Sequence, residues 1–97
     1  MYEIEFSDEA IGDLRWFRKH EQQVILDGIE SQLRYEPIVE TRNRKRRRPN
    51  RLSDWELRIG KYRVFYDIEL VVRIVSIEAI GLKEGNSLRF RGEERES

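Results

Sequence analysis

The sequence contains no cysteine and a single histidine, His20, among its 97 residues. Without cysteine there is no disulfide framework and no thiolate metal site, and one histidine leaves no cluster for a transition metal. We therefore expect neither a metal nor a cofactor. The N-terminal segment is acidic and lacks a long apolar run. Its composition predicts no signal peptide, no membrane span and a cytoplasmic location.

The formal net charge of the chain is zero, but the acidic and basic residues are segregated along the sequence. Residues 1–41 carry ten acidic and four basic residues, residues 42–65 carry two and ten, and residues 66–97 carry seven and five. The net charges of these segments are −6, +8 and −2. The middle segment alone is basic enough to indicate a nucleic-acid partner.

Hydrophobic residues make up 38% of the chain and charged residues 39%. A chain of 97 residues is long enough for one domain, 1–97, with a modest core, and too short for two. We expect one thin core below a highly charged surface.

The first third of the chain predicts a strand followed by two helices. Tyr2 to Phe6 alternates as a strand does, and Ser7 has the side chain of a helix N-cap. Apolar residues then recur at helical spacing in two sets, Ile11, Leu14 and Phe17, followed by Ile25, Ile29 and Leu33. The polar interval 18–23 predicts a break between the helices, and the second helix should end before Pro37.

Residues 55–68 predict the β-hairpin around which the rest of the fold is organised. Two alternating runs flank Gly60-Lys61, and glycine at the first loop position predicts a type II′ turn. Pairing across this turn creates one apolar face, made of Trp55, Leu57, Ile59, Tyr62, Val64 and Tyr66.

The other face of this hairpin carries Glu56, Arg58, Arg63 and Phe65, with Arg58 directly opposite Arg63. Two like charges at opposed positions destabilise a sheet, so they require a compensating anion. A phosphate held by both guanidinium groups would supply it, and so would a bridging Glu56 carboxylate. The sequence leaves both interpretations open.

A run of basic residues precedes the hairpin, within a segment from Glu36 to Arg51 that has no apolar period from Glu40 onward. We interpret the whole segment as a mobile loop. The run is either a solvated, self-repelling loop or a clamp for the phosphate backbone of a nucleic acid. Its candidate binding residues are Arg42, Arg44, Lys45, Arg46, Arg47, Arg48 and Arg51.

A further strand is predicted from Val71 to Ile80, ending at Gly81. Arg73 and Glu78 should both avoid the core but have opposite parity, which predicts a bulge or a change in what covers the strand. A polar tail, residues 82–97, follows, in which Leu88 and Phe90 predict a short extended segment. The order β-α-α-β-β-β predicts an α+β fold, with a small antiparallel sheet and an N-terminal αα-hairpin packed on one face.

The chain resembles the RelE/ParE family of bacterial type II toxin–antitoxin toxins. The resemblance is carried by Trp55-Glu-Leu-Arg-Ile-Gly-Lys-Tyr-Arg-Val-Phe-Tyr66 and by the strand end Ile80-Gly-Leu-Lys-Glu84, and it extends to about Glu84. In the RelE branch, which we favour, the sheet face binds mRNA in the ribosome and cleaves it with the ribose 2′-hydroxyl. That branch implies an mRNA interferase that inhibits translation, whose partners are a cognate antitoxin, the ribosome and mRNA.

The same resemblance implies roles for three residues. Arg63 matches the arginine that contacts phosphate, Arg58 a basic residue on the preceding strand, and Lys83 an arginine after the glycine. Glu56, which lies beside the arginines, is a candidate base on chemical grounds. Three alternatives stay open. One is the ParE branch, which lacks these catalytic residues and inhibits DNA gyrase. The second is a toxin fold that has lost its activity, and the third is a basic nucleic-acid-binding module without catalytic activity.

Overall fold

Two helices pack on one side of a seven-stranded sheet in the computed structural model, which describes residues 1–94. Residues 95–97 of the predicted polar tail lie outside the described residues. Neither helix is long and apolar enough, within residues 1–94, to cross a lipid bilayer. In chain order the elements are β1 (Glu3–Phe6), α1 (Asp8–Trp16), α2 (Lys19–Leu33), β2 (Arg44–Arg46), β3 (Trp55–Ile59), β4 (Tyr62–Glu69), β5 (Ile74–Glu84), β6 (Ser87–Phe90) and β7 (Glu93–Glu94).

The strands from β2 to β7 follow one another across the sheet in chain order, each antiparallel to the next. β1 departs from this order and pairs in parallel with the first half of β5, from Glu3 opposite Ile74 to Phe6 opposite Ile77. The predicted α+β class, with an αα-hairpin on one face of the sheet, is confirmed.

The break between the helices is confirmed, but it is shorter than the polar interval predicted. Only Phe17 and Arg18 separate α1 from α2. The side chain of Gln22 donates to the carbonyl of Phe17 at 2.9 Å, and the backbone N–H of Arg18 donates to Glu21 at 3.4 Å. Polar side chains therefore begin the second helix by satisfying backbone groups at the break.

The main core lies between the helices and the sheet. The predicted apolar face of the central hairpin points toward α2, and all of its members are buried except Ile59, which is partly buried. The hydroxyl of buried Tyr66 donates to the carbonyl of Pro37 at 2.8 Å. Gly28 allows α2 to approach β3 closely, because a Cβ atom at that position would overlap the side chain of Ile59.

The central hairpin has the predicted register and turn. Trp55 lies opposite Tyr66, Leu57 opposite Val64, and Arg58 opposite Arg63. Gly60 has a φ angle of +56°, and among the non-glycine residues of 1–94 only Arg73 and Arg91 have positive φ. A positive φ angle at the first loop position, Gly60, but not at the second, Lys61, matches the type II′ turn.

β5 differs from its predicted bounds. It begins at Ile74, because residues 70–73 form a turn in which Arg73 has a φ angle of 58°, and it continues through Gly81 to Glu84. The predicted bulge is present. Phe65 pairs with Ala79 and Tyr66 with Ile77, which leaves Glu78 as the extra residue. This bulge, together with the later start of the strand, resolves the parity conflict.

The face of the sheet away from the helices is covered at its centre, which corrects the expectation that Phe65 lies on an open face. Phe65 is fully buried in a second apolar cluster with Ala79 and Phe90, against which Leu52 and Leu88 pack. Leu52 directly follows the segment predicted to be a basic loop, and Leu88 lies in the predicted polar tail. β6 confirms the short extended segment at Leu88 and Phe90: it pairs with β5 in the same sheet, and the ring of Phe90 packs against that of Phe65.

The chain after β6 is attached to α1 through a buried carboxylate. Asp13 is fully buried, and it accepts hydrogen bonds from the Arg91 guanidinium and from the backbone N–H of Ile80, both at 2.9 Å. Arg91 also donates to the carbonyl of Glu9. Gly12 leaves room for the guanidinium, since a Cβ atom there would overlap it.

The bulge residue Glu78 makes stability dependent on pH. Burial raises the pKa of Glu78, and nearby Asp67 raises it further. A carboxyl group whose pKa is raised by folding stabilises the folded state below its unfolded pKa, and the contribution is lost as pH rises through the raised value. We therefore expect Glu78→Gln to raise the melting temperature at pH 7 and to change it little at pH 4. The matched control is Glu69→Gln at an exposed position, expected to show no such difference; equal effects of both changes would contradict the assignment.

Candidate nucleic-acid interface

The basic run is more ordered than the predicted mobile loop. Arg44–Arg46 forms the edge strand β2, which pairs with β3, and the N–H of Arg47 donates to the carbonyl of Asp54 at 2.7 Å. Asn50 organises the following turn, because its side-chain oxygen accepts from the N–H groups of Leu52 and Ser53 at 2.6 and 3.0 Å. The segment is therefore held by backbone pairing and one amide side chain.

Strand alternation divides the basic run between two sides of the sheet. Arg44 turns toward the helices, where its guanidinium donates to the carbonyls of Gln32 and Val39 at 2.8 and 2.9 Å. Arg46 has the same parity, and its guanidinium lies 5.8 Å from the centre of the Trp55 ring. Arg44 is thus bound at the end of α2, away from the side on which a phosphate clamp would form.

Lys45 and Arg47 take the opposite parity and lie on the side of Glu56. Lys45 is the cross-strand partner of Glu56, and the Arg47 guanidinium lies 4.7 Å from the centre of the Phe65 ring. An open groove of about 480 Å³ runs along this part of the surface. Its lining residues are Lys45, Arg46, Arg47, Arg48, Pro49, Asn50, Glu56 and Arg58.

Glu56 lies at the meeting point of three arginines. Its carboxylate oxygens lie 3.1 Å from Nε of Arg58, 3.8 Å from Nε of Arg63 and 3.9 Å from Nε of Arg47. The opposed pair Arg58 and Arg63 is therefore compensated by a carboxylate in the free protein. The Glu56 bridge that the sequence allowed is therefore present, and phosphate binding at the same pair stays a prediction.

Arg63 is held in place by its surroundings. Its guanidinium donates to the carbonyls of Gly60 and Tyr62 at 2.7 and 2.9 Å. Burial lowers the pKa of Arg63, Glu56 opposes this effect, and Arg58 adds to it. The side chain is consequently oriented beside Glu56 and Arg58.

Two solved structures share this fold. One is a chain of the toxin–antitoxin complex RelBE2 from Mycobacterium tuberculosis, with a TM-score of 0.72 and 23% identity, covering 84% of this chain and 98% of that chain. The other is a chain of the archaeal RelE–RelB complex from Pyrococcus horikoshii, with a TM-score of 0.68 and 19% identity, covering 89% of this chain and 98% of that chain. The fold is RelE-like. No protein-family model and no curated protein matches the sequence.

Within this RelE-like fold, the remaining predicted site residues lie outside the groove. Lys83 is exposed on β5, two residues beyond Gly81, which is the cross-strand partner of Arg63. By alternation its side chain lies on the same face as Arg63. Arg42 and Arg51 are exposed at the two ends of the basic run. No three His, Cys, Asp or Glu within residues 1–94 lie close enough together to hold a metal ion.

Two residues that shape the site were not among the predicted ones. Asn50 fixes the turn that bears Arg48, and the dipeptide Pro49-Asn50 is a turn signal that could have indicated this. Phe65 supports the Arg47 guanidinium from below. Its role could not be read from the sequence, because it requires Phe90, far along the chain, to close the second cluster.

Proposed function

We propose that this protein is the toxin of a type II toxin–antitoxin system and that it cleaves mRNA on the ribosome. The observation that supports this best is the concentration of cations in one groove, where Lys45, Arg47, Arg48 and Arg58 converge beside Arg63. The RelE-like fold supports the same conclusion. The two solved chains come from a toxin–antitoxin complex and from a RelE–RelB complex, which supports a cognate antitoxin as the partner.

The groove is suited to the phosphate backbone. None of its lining residues is aromatic, so it offers no ring on which a base could stack. Cations that contact phosphates give affinity that is independent of sequence and strongly dependent on salt. We therefore assign sequence preference, where it exists, to the mRNA as the ribosome presents it.

The proposed reaction is transfer of a phosphodiester to the ribose 2′-oxygen. The 2′-oxygen forms a bond to phosphorus, the bond from phosphorus to the 5′-oxygen breaks, and the proton of the 2′-hydroxyl passes to Glu56. Arg58 and Arg63 stabilise the negative charge that builds on the phosphoryl oxygens. Lys83 provides a proton to the departing 5′-oxygen. This reaction requires neither a metal nor a cofactor.

A double substitution at the rim of the groove tests the binding step. We expect Lys45→Gln/Arg48→Gln to weaken binding of single-stranded RNA and to reduce the magnitude of the slope of log K against log salt by about 1.4, which is about 0.7 for each lost phosphate contact on a single strand. Both side chains are exposed, so folding should be retained. Arg44 and Arg47 are left intact because they contact protein groups.

The control for this experiment is Arg15→Gln/Lys19→Gln, which removes the same charge from exposed positions on the two helices. We expect the control to keep the wild-type salt slope. Equal slopes for wild type and both variants would show that Lys45 and Arg48 contact no phosphate and would contradict binding along this rim.

The cleavage step is tested by mapping mRNA 5′ ends on ribosomes after the protein is expressed without its antitoxin. New 5′ ends inside coding regions, absent in an Arg63→Ala strain, are the expected result. Growth inhibition without new 5′ ends would overturn RNA cleavage and favour inhibition of DNA gyrase.

A further inference from the structure

One carboxylate occupies the centre of the proposed phosphate site. The three arginines around Glu56 come from three segments: Arg47 follows β2, Arg58 lies on β3 and Arg63 lies on β4. The side chain of Glu56 is 18% exposed, so it lies mostly within the cluster. The place where three guanidinium groups meet is also where a phosphate would bind most strongly.

The three contacts of Glu56 differ in quality. Only Arg58 is at hydrogen-bonding distance, at 3.1 Å, whereas the separations from Arg63 and Arg47 are 3.8 and 3.9 Å. Glu56 thus neutralises the cluster without hydrogen-bonding to every donor in it. An incoming phosphate can bond to these guanidinium groups, but it must displace the carboxylate or bear its repulsion.

We propose that Glu56 is an internal competitor for phosphate, and that it sets how strongly an anion must bind elsewhere in the groove in order to occupy its centre. The proposal deepens the function proposed above, since it concerns the regulation of that same site. Displacing Glu56 carries a similar energetic cost for every ligand that enters the centre. A single phosphate makes few other contacts, whereas a polynucleotide can also reach Lys45 and Arg48, which line the same groove. The competitor lowers both affinities by the same factor, so at a given ligand concentration an isolated phosphate stays unbound while a phosphate chain, held by these further contacts, still binds.

The substitution Glu56→Gln tests this proposal, because the amide keeps the shape of the side chain and removes its charge. We expect the affinity for inorganic phosphate and for a short single-stranded RNA to rise by about tenfold each, which corresponds to about 1.4 kcal/mol. The gains should be similar because the same competitor is removed from both equilibria. Titration calorimetry of the purified protein at two salt concentrations measures them.

The matched control is Glu30→Gln. Glu30 lies on α2, its carboxylate pairs with Arg34, and neither residue lines the groove. It makes the same change in net charge, so any gain caused by net charge alone would appear in it. We expect its affinities to stay within about twofold of wild type, because distant exposed charges are largely screened.

Removing the Glu56 charge leaves three arginines that repel one another, so Glu56→Gln is expected to be less stable than wild type. A thermal measurement tests the proposal in that case as well. Phosphate, compared with chloride at equal ionic strength, should raise the melting temperature of Glu56→Gln more than that of wild type, because it binds the folded state. Equal shifts in both proteins would overturn the proposal.

The outcomes separate this inference from the proposed function. If wild type binds RNA and Glu56→Gln binds it with the same or lower affinity, the competitor role is overturned and the proposed function stands. A loss would show that Glu56 serves to orient the arginines. Failure of both proteins to bind RNA would overturn both proposals. Greater RNA affinity together with slower cleavage would support the competitor role and the assignment of Glu56 as base.

Discussion

Growth inhibition is expected to disappear when Arg63 is replaced by alanine, while the protein remains folded. Arg63 lies beside Arg58 and Glu56 on the face of the sheet opposite the helices, where it would contact the reacting phosphate. The substitution removes its hydrogen bonds to the carbonyls of Gly60 and Tyr62 at the hairpin turn. That loss should lower stability by about 1 kcal/mol, or about 4–8 °C in melting temperature. Toxicity and melting temperature are measured side by side, in cells without antitoxin and on purified protein.

Arg63→Lys provides a graded comparison for this prediction. An ammonium group keeps the charge but cannot present two parallel donors to a phosphate, so we expect it to restore only part of the activity. Arg89→Ala is the control, since it removes an arginine that pairs with Glu84 elsewhere in the sheet. A folded Arg63→Ala protein with full toxicity would contradict the catalytic assignment and favour the gyrase alternative.

The second large effect is on stability, and it concerns Arg91→Ala. The substitution leaves the fully buried carboxylate of Asp13 with one hydrogen bond, from the N–H of Ile80. An uncompensated buried charge destabilises strongly, but the side chain of Arg91 is 43% exposed, so water can reach part of the vacated space. We therefore expect a loss of about 3 kcal/mol, at the lower end of the range for a broken buried pair. Chemical denaturation of the purified protein measures it.

Arg89→Ala is again the matched control, because Arg89 pairs with an exposed carboxylate on Glu84 and should contribute less than about 1 kcal/mol. Adding Asp13→Asn to Arg91→Ala should recover part of the stability, since the amide is neutral and still accepts from Ile80. Equal losses for Arg89→Ala and Arg91→Ala would show that the buried carboxylate is not what Arg91 stabilises.

The elements that the sequence predicted well are those specified by local periodicity. The hairpin at Gly60-Lys61 has an alternating pattern on each side and a turn residue suited to positive φ, so its register followed directly. The two helices followed from their apolar spacing and from the N-cap of Ser7, whose side chain accepts from the N–H of Ala10 at 3.0 Å. The placement of Glu56, Arg58 and Arg63 on one face required nothing more than this register.

The missed features depend on partners that are distant in sequence. β2 contains only basic residues, so no periodicity marks it, and it is a strand because β3 offers a free edge. The buried pair of Asp13 and Arg91 joins residues separated by 78 positions. The division of the basic run, with Arg44 facing α2 and Lys45 facing Glu56, became evident only once β2 was known to be a strand.

The parallel pairing of β1 with β5 has a consequence for biosynthesis. Ser7, just after β1, donates to the carbonyl of Glu78 across a separation of 71 residues. Contacts between such distant positions slow folding, because a large loop must close before they form. β1 leaves the ribosome first and must wait for β5, whereas the hairpin of β3 and β4 can form from neighbouring residues as soon as it emerges. In a newly made chain, the basic run is therefore present for some time before β1 pairs with β5 and completes the sheet.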